Sequence, residues 1–295
     1  MGAARAAADQ RVCVGSRIAA ARGRVARAGA GRAPTHRGDN GAMTPLLSFR
    51  NVRKSYRDGE RELAVLKMEV SFDIERGASV GVVGERESGK STLLRLAAGI
   101  ESPDQGRIEF DGQDITSISP GDRTRLLRGP IGLVSSAGWL PTPEESVLDH
   151  VMMSVGSGGV TVGEAKRVAL GALDAVGVGA VGAAKATASL SAGECARVML
   201  ARALAREPLL LIVDEPGPMP SLSERDRFCE LLRATSSERG IALLMASEDL
   251  GVVQSSAVLM SISDGELVIS NQASLRDEDA TVIDLGDRRA AQSGT

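Results

Sequence analysis

Nine consecutive residues, Gly84-Glu85-Arg86-Glu87-Ser88-Gly89-Lys90-Ser91-Thr92, have the types and spacing needed to cradle a polyphosphate. Glycines let the backbone curl so that successive N–H groups converge on an anion, and the positive end of a following helix adds to the field. Lys90 offers a compact charge for the outer phosphates, and the Ser91 hydroxyl offers Mg2+ a hard oxygen. The chain has five lysines against thirty arginines, so a lysine at the one place where a slim ammonium is needed is informative. A second group is the apolar run Leu209–Val213 ending in Asp214 and Glu215. Asp214 is expected to reach a metal ion held at Ser91, and Glu215 to polarise an attacking water. A third is Leu190-Ser191-Ala192-Gly193-Glu194, where Ser191 is placed to cap a helix and Gly193 lets backbone come close to a phosphate. In isolation, an acidic strand end and a capped helix start are ordinary. It is their order after a P-loop that is specific.

Each group needs an element behind it. Ser79–Val83 reads as a buried strand feeding the loop, and Leu93–Ala98 as the helix leaving it. Upstream, Leu46–Val52 alternates as a first strand, and Leu63–Ile74 reads as a second after a turn at 58–60. Arg107–Phe110 is a further short strand. Residues 136–190 change character: helical spacing at Val147, Leu148 and Val151, then at Val168, Leu170, Leu173 and Val176, is punctuated by glycines. This reads as a helical insertion in an α/β core. The core resumes with a helix at Gly193–Leu204, a strand at Leu209–Val213, a helix near Ser223–Arg233 and a strand at Ile241–Ala246. Strands alternating with helices predict a mostly parallel sheet, with Leu209–Val213 beside the P-loop strand.

Composition bounds the rest. The chain has 295 residues, 43% hydrophobic and 25% charged, with a net charge of -3, which gives no case for nucleic-acid binding. Cys13, Cys195 and Cys229 are too few and too scattered for a disulfide framework or a metal pattern. No apolar stretch approaches the ~18 residues of a membrane span. Residues 1–42 hold eight arginines, two aspartates and no apolar periodicity, and are expected to be a disordered Ala/Gly/Arg-rich leader, with Met43 the natural start. The working domain is expected to occupy 43–272 and a polar tail 273–295.

Together these motifs resemble the nucleotide-binding subunit of ABC transporters, over roughly residues 46–270. The P-loop at 84–92, the LSAGE segment at 190–194 (LSGGQ or LSGGE in the family) and the acidic strand end carry the resemblance. It implies an α/β P-loop NTPase core with a mostly parallel sheet, an N-terminal antiparallel β region and a helical insertion. It also implies ATP and Mg2+ as cofactors, integral-membrane permease subunits and a second ATPase subunit as partners, and a position on the inner face of the cell membrane. The second ATPase subunit would make a homodimer or a heterodimer. Tyr56 matches the aromatic that stacks on adenine in the family. Ser191, Ala192, Gly193 and Glu194 would act on the partner subunit's nucleotide, while Lys90, Asp214 and Glu215 act on this chain's own. Leu140-Pro141-Thr142, Ser146-Val147-Leu148 and Glu194 look most like the branch of lipoprotein-release and macrolide-export systems.

Four positions depart from the family pattern. Glu87 stands where the P-loop usually has Gly, and Ser136 where a Gln normally touches Mg2+. Glu248 replaces the histidine that contacts the γ-phosphate. Pro216–Ser221 replaces the loop whose Asp speaks across the dimer, placing Ser221 at its end. Removing donors and adding anions around a triphosphate should slow hydrolysis. The chain is therefore expected to be an energy-coupling subunit with an impaired site of its own, or else a non-catalytic nucleotide-gated module of a membrane complex.

Overall fold

The computed structural model describes residues 44–58, 61–135, 145–155, 160–215, 219 and 221–271. The expected leader, Met43, Ser136 and the tail lie outside the described residues. In chain order come β1 (Leu47–Asp58), β2 (Arg61–Ile74), β3 (Ser79–Gly84), α1 (Lys90–Ala97), β4 (Gln105–Phe110), β5 (Gln113–Asp114), α2 (Pro120–Arg128) and β6 (Ile131–Ser135). Then follow α3 (Val147–Val155), α4 (Val162–Ala175), α5 (Ala180–Ala183), α6 (Ala192–Leu204), β7 (Leu210–Asp214), α7 (Leu222–Arg239), β8 (Ala242–Ser247), α8 (Leu250–Val253), β9 (Val258–Ser263) and β10 (Glu266–Asn271).

The α/β architecture expected from the motifs is present. A four-stranded antiparallel sheet, in the order β2-β1-β4-β5, lies against a six-stranded sheet in the order β10-β9-β3-β8-β7-β6. In the larger sheet β6, β7, β8, β3 and β9 run parallel, and β10 is an antiparallel edge. One expectation fails: β7 is not beside the P-loop strand, because β8 lies between them. Which buried strands pair is a long-range choice that a run of apolar residues does not encode.

Continuous apolar runs make sense because both faces of this sheet are covered. In β7, Leu210 and Ile212 face a core shared with α1 and the antiparallel sheet, whereas Leu211 and Val213 face a second core with α3, α4, α6 and α7. β8 divides likewise, with Ala242, Leu244 and Ala246 on one side and Leu243 and Met245 on the other. Phe49 and Phe72 stack at 4.6 Å in the first core. In the helical region Val147, Val151, Leu173 and Val176 are buried as their spacing predicts, but Leu170 is 38% exposed. Ile131–Ser135, just before Ser136, forms the strand β6. The helix expected near Ser223–Arg233 is longer, ending where Gly240 adopts φ 66. The hairpin β9–β10 was not anticipated.

Candidate functional site

The P-loop is built by close approach at its two glycines. A Cβ on Gly84 would lie 2.4 Å from the Ile262 carbonyl oxygen and 2.6 Å from Ser88 Oγ, so β3 can end there only without a side chain. Gly89 takes φ 109 at the N-cap of α1 and supplies no side-chain cap, which leaves the first helical N–H groups aimed at the loop. Between them the chain turns tightly, with the Ser88 N–H donating to the Glu85 carbonyl at 3.2 Å. Glu87 is exposed at the crest and holds φ 63, a left-handed geometry that suits glycine.

Lys90 is 6% exposed, and its ammonium donates to the carbonyl oxygens of Gly84 at 2.8 Å and Glu85 at 2.7 Å. It therefore lies folded back under the loop. Beside it the Ser91 hydroxyl donates to Asp214 Oδ1 at 3.2 Å, across 123 positions of sequence. The structure thus brings together Lys90, Ser91 and Asp214, even though β8 lies between β7, which ends in Asp214, and β3, which feeds the loop before α1. Thr92, on the same turn of α1, lies 3.2 Å from the Tyr56 hydroxyl.

Tyr56 sits on β1 with its hydroxyl donating to Glu101, a residue that sequence reasoning missed. Glu101 also accepts from Arg95 at 2.9 Å. Burial raises the Tyr56 pKa, and the Glu101 carboxylate adds to the effect. Burial opposes ionisation of Glu101, but hydrogen bonds from Tyr56 and Arg95 outweigh it and hold the carboxyl below its usual range. The Lys54 ammonium stands 5.4 Å from the Tyr56 ring centroid. The aromatic is thereby held beside α1, its hydroxyl between Thr92 on the first turn and Glu101 beyond the helix end.

Glu215 follows β7 with φ 44. Its carboxylate accepts from the Ser247 hydroxyl at 3.0 Å and from the Glu248 N–H at 2.7 Å. Its own N–H donates to the Ala246 carbonyl at 3.1 Å. Ser247 and Glu248 at the end of β8 thus clamp the candidate catalytic carboxylate through a hydroxyl and a backbone amide. The Glu248 side chain is exposed. Ser221 caps α7, accepting from the Glu224 N–H at 3.2 Å.

Ser191 begins α6 with a full capping box: its Oγ accepts from the Glu194 N–H at 3.3 Å, and the Glu194 carboxylate accepts from the Ser191 N–H at 2.9 Å. Ala192 is exposed and Gly193 half-buried, with the Glu224 carboxylate near the Gly193 backbone. Ser191–Glu194 therefore lie on a different element from the P-loop, at the head of a helix in the second core. Among the described residues no helix is long and apolar enough to cross a membrane.

Comparison with known proteins agrees with this geometry. A family model described as ABC transporter matches residues 68–217. The chain is 32% identical over 240 residues to an uncharacterized ABC transporter ATP-binding protein of Mycobacterium tuberculosis, covering 81% of this chain and 96% of the relative. It is also 32% identical over 223 residues to the lipoprotein-releasing system ATP-binding protein LolD 2 of Caulobacter vibrioides, covering 76% and 96%. Among solved structures, the dimeric ATP-binding cassette MJ0796 in a post-hydrolysis state bound to ADP and Pi superposes with a TM-score of 0.70. That match is 25% identical and covers 77% of this chain and 98% of the other.

Proposed function

Because this chain belongs to the ABC transporter family as an ATP-binding, energy-coupling subunit, we propose that it closes on ATP with a second cassette and drives separate permease subunits from the inner face of the membrane. The observation that carries the reading is the meeting of Lys90, Ser91 and Asp214 under one glycine-rich loop. A hydroxyl and a carboxylate 3.2 Å apart form a hard-oxygen pair suited to Mg2+, which when bound would neutralise charge on the triphosphate. Lys90 would trade its bonds to the Gly84 and Glu85 carbonyls for the outer phosphates, Tyr56 would take the adenine, and Glu215 would orient the attacking water. Ser191 and Gly193 would face the nucleotide of the second subunit. The lipoprotein-releasing relative supports a place near that branch.

Hydrolysis at this chain's own site is proposed to be slow. Glu248 gives the Glu215 carboxylate a backbone N–H but no imidazole for the γ-phosphate, and Glu87 sets an acid at the loop crest. Ser136 and Ser221 stand where the family uses Gln and Asp. These departures also favour the second reading, a nucleotide-gated module that binds ATP without turning it over. ATP binding and turnover in the wild type, Lys90→Ala, Glu215→Gln and Glu248→His separate the two. The motor reading expects binding that Lys90→Ala abolishes and slow turnover that Glu215→Gln removes and Glu248→His raises. Binding without turnover in every variant selects the gated module. Fast wild-type turnover, unchanged by Glu248→His, refutes the impairment.

A further inference from the structure

We propose that Lys185 is a positioning residue for the 190–194 segment, neutralising Glu194 so that a segment ending in an acid can approach the triphosphate carried by a second subunit. The inference rests on the reading that Ser191 and Gly193 act on that nucleotide.

Glu194 is fully engaged. One carboxylate oxygen accepts from the Lys185 ammonium at 2.6 Å, and the other accepts from the Ser191 N–H at 2.9 Å and the Ser191 hydroxyl at 3.0 Å. A serine hydroxyl has one proton to donate, so donation to a phosphate requires Ser191 to release Glu194. The carboxylate then stands within one helical turn of the incoming anion, with Lys185 as its counter-charge. Glu224 adds a second acid, its carboxylate 3.8 Å from where a Cβ on Gly193 would lie. The Arg197 guanidinium on the same helix donates instead to the Val176 carbonyl at 3.0 Å.

Lys185 is held in place by the fold. Its carbonyl accepts from the Val147 N–H at 3.0 Å, the Thr187 N–H donates to the Glu145 carbonyl at 2.9 Å, and Ser146 and Ala186 form an antiparallel bridge between them. The lysine therefore projects from a two-strand clip that ties the start of α3 to the approach to α6. The Lys185 bond, then the Ser191 backbone N–H, hold the Glu194 pKa down to about 2. With side chains 41% and 36% exposed, the pair contributes little to folding stability. Its removal should change charge far more than structure.

Two measurements on the full chain test the inference. In the Glu215→Gln background, self-association driven by Mg-ATP is followed by analytical ultracentrifugation. Lys185→Met should weaken it roughly five- to tenfold at low salt, and less at high salt. Lys185→Arg should keep it, and Lys185→Met with Glu194→Gln should regain it, since a neutral amide needs no counter-charge. A double variant as weak as Lys185→Met would mean the pair acts only as a structural clip, and overturns the proposal. The second measurement needs no partner: the 13C shift of the Glu194 carboxyl at pH ~4 should report an ionised group in the wild type and a partly protonated one in Lys185→Met. An unchanged shift overturns the proposal. Failure of the parent chain to associate with Mg-ATP would count against pairing of two copies through this segment, while the carboxyl shift still decides the role of Lys185.

Discussion

Replacing Glu87 by Gly and by Gln separates two penalties at the loop crest. The residue holds φ 63 and is exposed. A non-glycine residue in this region costs ~1–2 kcal/mol, and glycine's greater freedom in the unfolded chain returns ~0.4–1 kcal/mol of that. Glu87→Gly should therefore be more stable by roughly 0.5–1 kcal/mol, a rise in Tm of ~1–4 °C for a domain of this size. Glu87→Gln keeps the strained backbone and should leave stability unchanged. Affinity follows a different rule. Were the Glu87 carboxylate to stand within ~7 Å of a phosphate charge, at a dielectric between surface and bulk water, it would oppose binding by ~1–2 kcal/mol. Both variants should therefore bind Mg-ATP ~5- to 30-fold more tightly, less so at high salt. Urea titration of the nucleotide-free chain and calorimetric titration with Mg-ATP read the two effects independently. If Glu87→Gly is no more stable than Glu87→Gln, the strain reasoning fails. If neither variant binds more tightly, the crest carboxylate does not act on the triphosphate.

Gly84→Ala would place a Cβ 2.4 Å from the Ile262 carbonyl, a backbone contact that cannot yield cheaply. Circular-dichroism melts should show a loss of ~1–3 kcal/mol, together with weakened nucleotide binding. His150 is 2% exposed, with Nδ1 at 3.2 Å from Glu145. Burial pulls its pKa below the ordinary 6.5, aided by Arg202 and opposed by Glu145. The unfolded chain therefore takes up the proton first. The contribution of the neutral imidazole is complete above pH 6.5 and is lost as pH falls from there through the folded pKa. His150→Gln should flatten that part of the pH–stability curve measured in urea, and an unaltered slope would count against the assignment.

How much could be read in advance depended on how local the signal was. Gly84–Thr92 gathers its chemistry within nine residues, so both the loop and its helix were legible. The junction of Ser91 with Asp214 was also anticipated, though by the wrong neighbour relation, because strand order is decided by pairings between distant residues. The hairpin β9–β10 did leave a signal: Asp264-Gly265 separates two alternating runs, with φ 50 and 75 at the turn. Glu101 left none, since a single acid after a helix says nothing of the Tyr56 hydroxyl it receives. The left-handed backbone at Glu87 and Glu215 was equally invisible, because both sites carry a residue type that ordinarily avoids it.

The clamp on Glu215 explains why position 248 can change without dispersing the site. Parallel pairing sets Asp214 opposite Ala246, and the Glu215 N–H continues that ladder to the Ala246 carbonyl. The Glu215 carboxylate then meets the next groups along β8, the Ser247 hydroxyl and the Glu248 amide. Ser247 is fixed in turn, since its Oγ also accepts from the Asp249 N–H at 3.1 Å and it is 1% exposed. None of these bonds uses the side chain at 248, so Glu248→His alters the charge at the proposed γ-phosphate position and leaves the Glu215 carboxylate where the sheet puts it. A rise in turnover in that variant, with an unchanged melt, would identify the side chain at 248 as a brake on the proposed hydrolysis. If turnover stays low, the deficit lies outside this strand end.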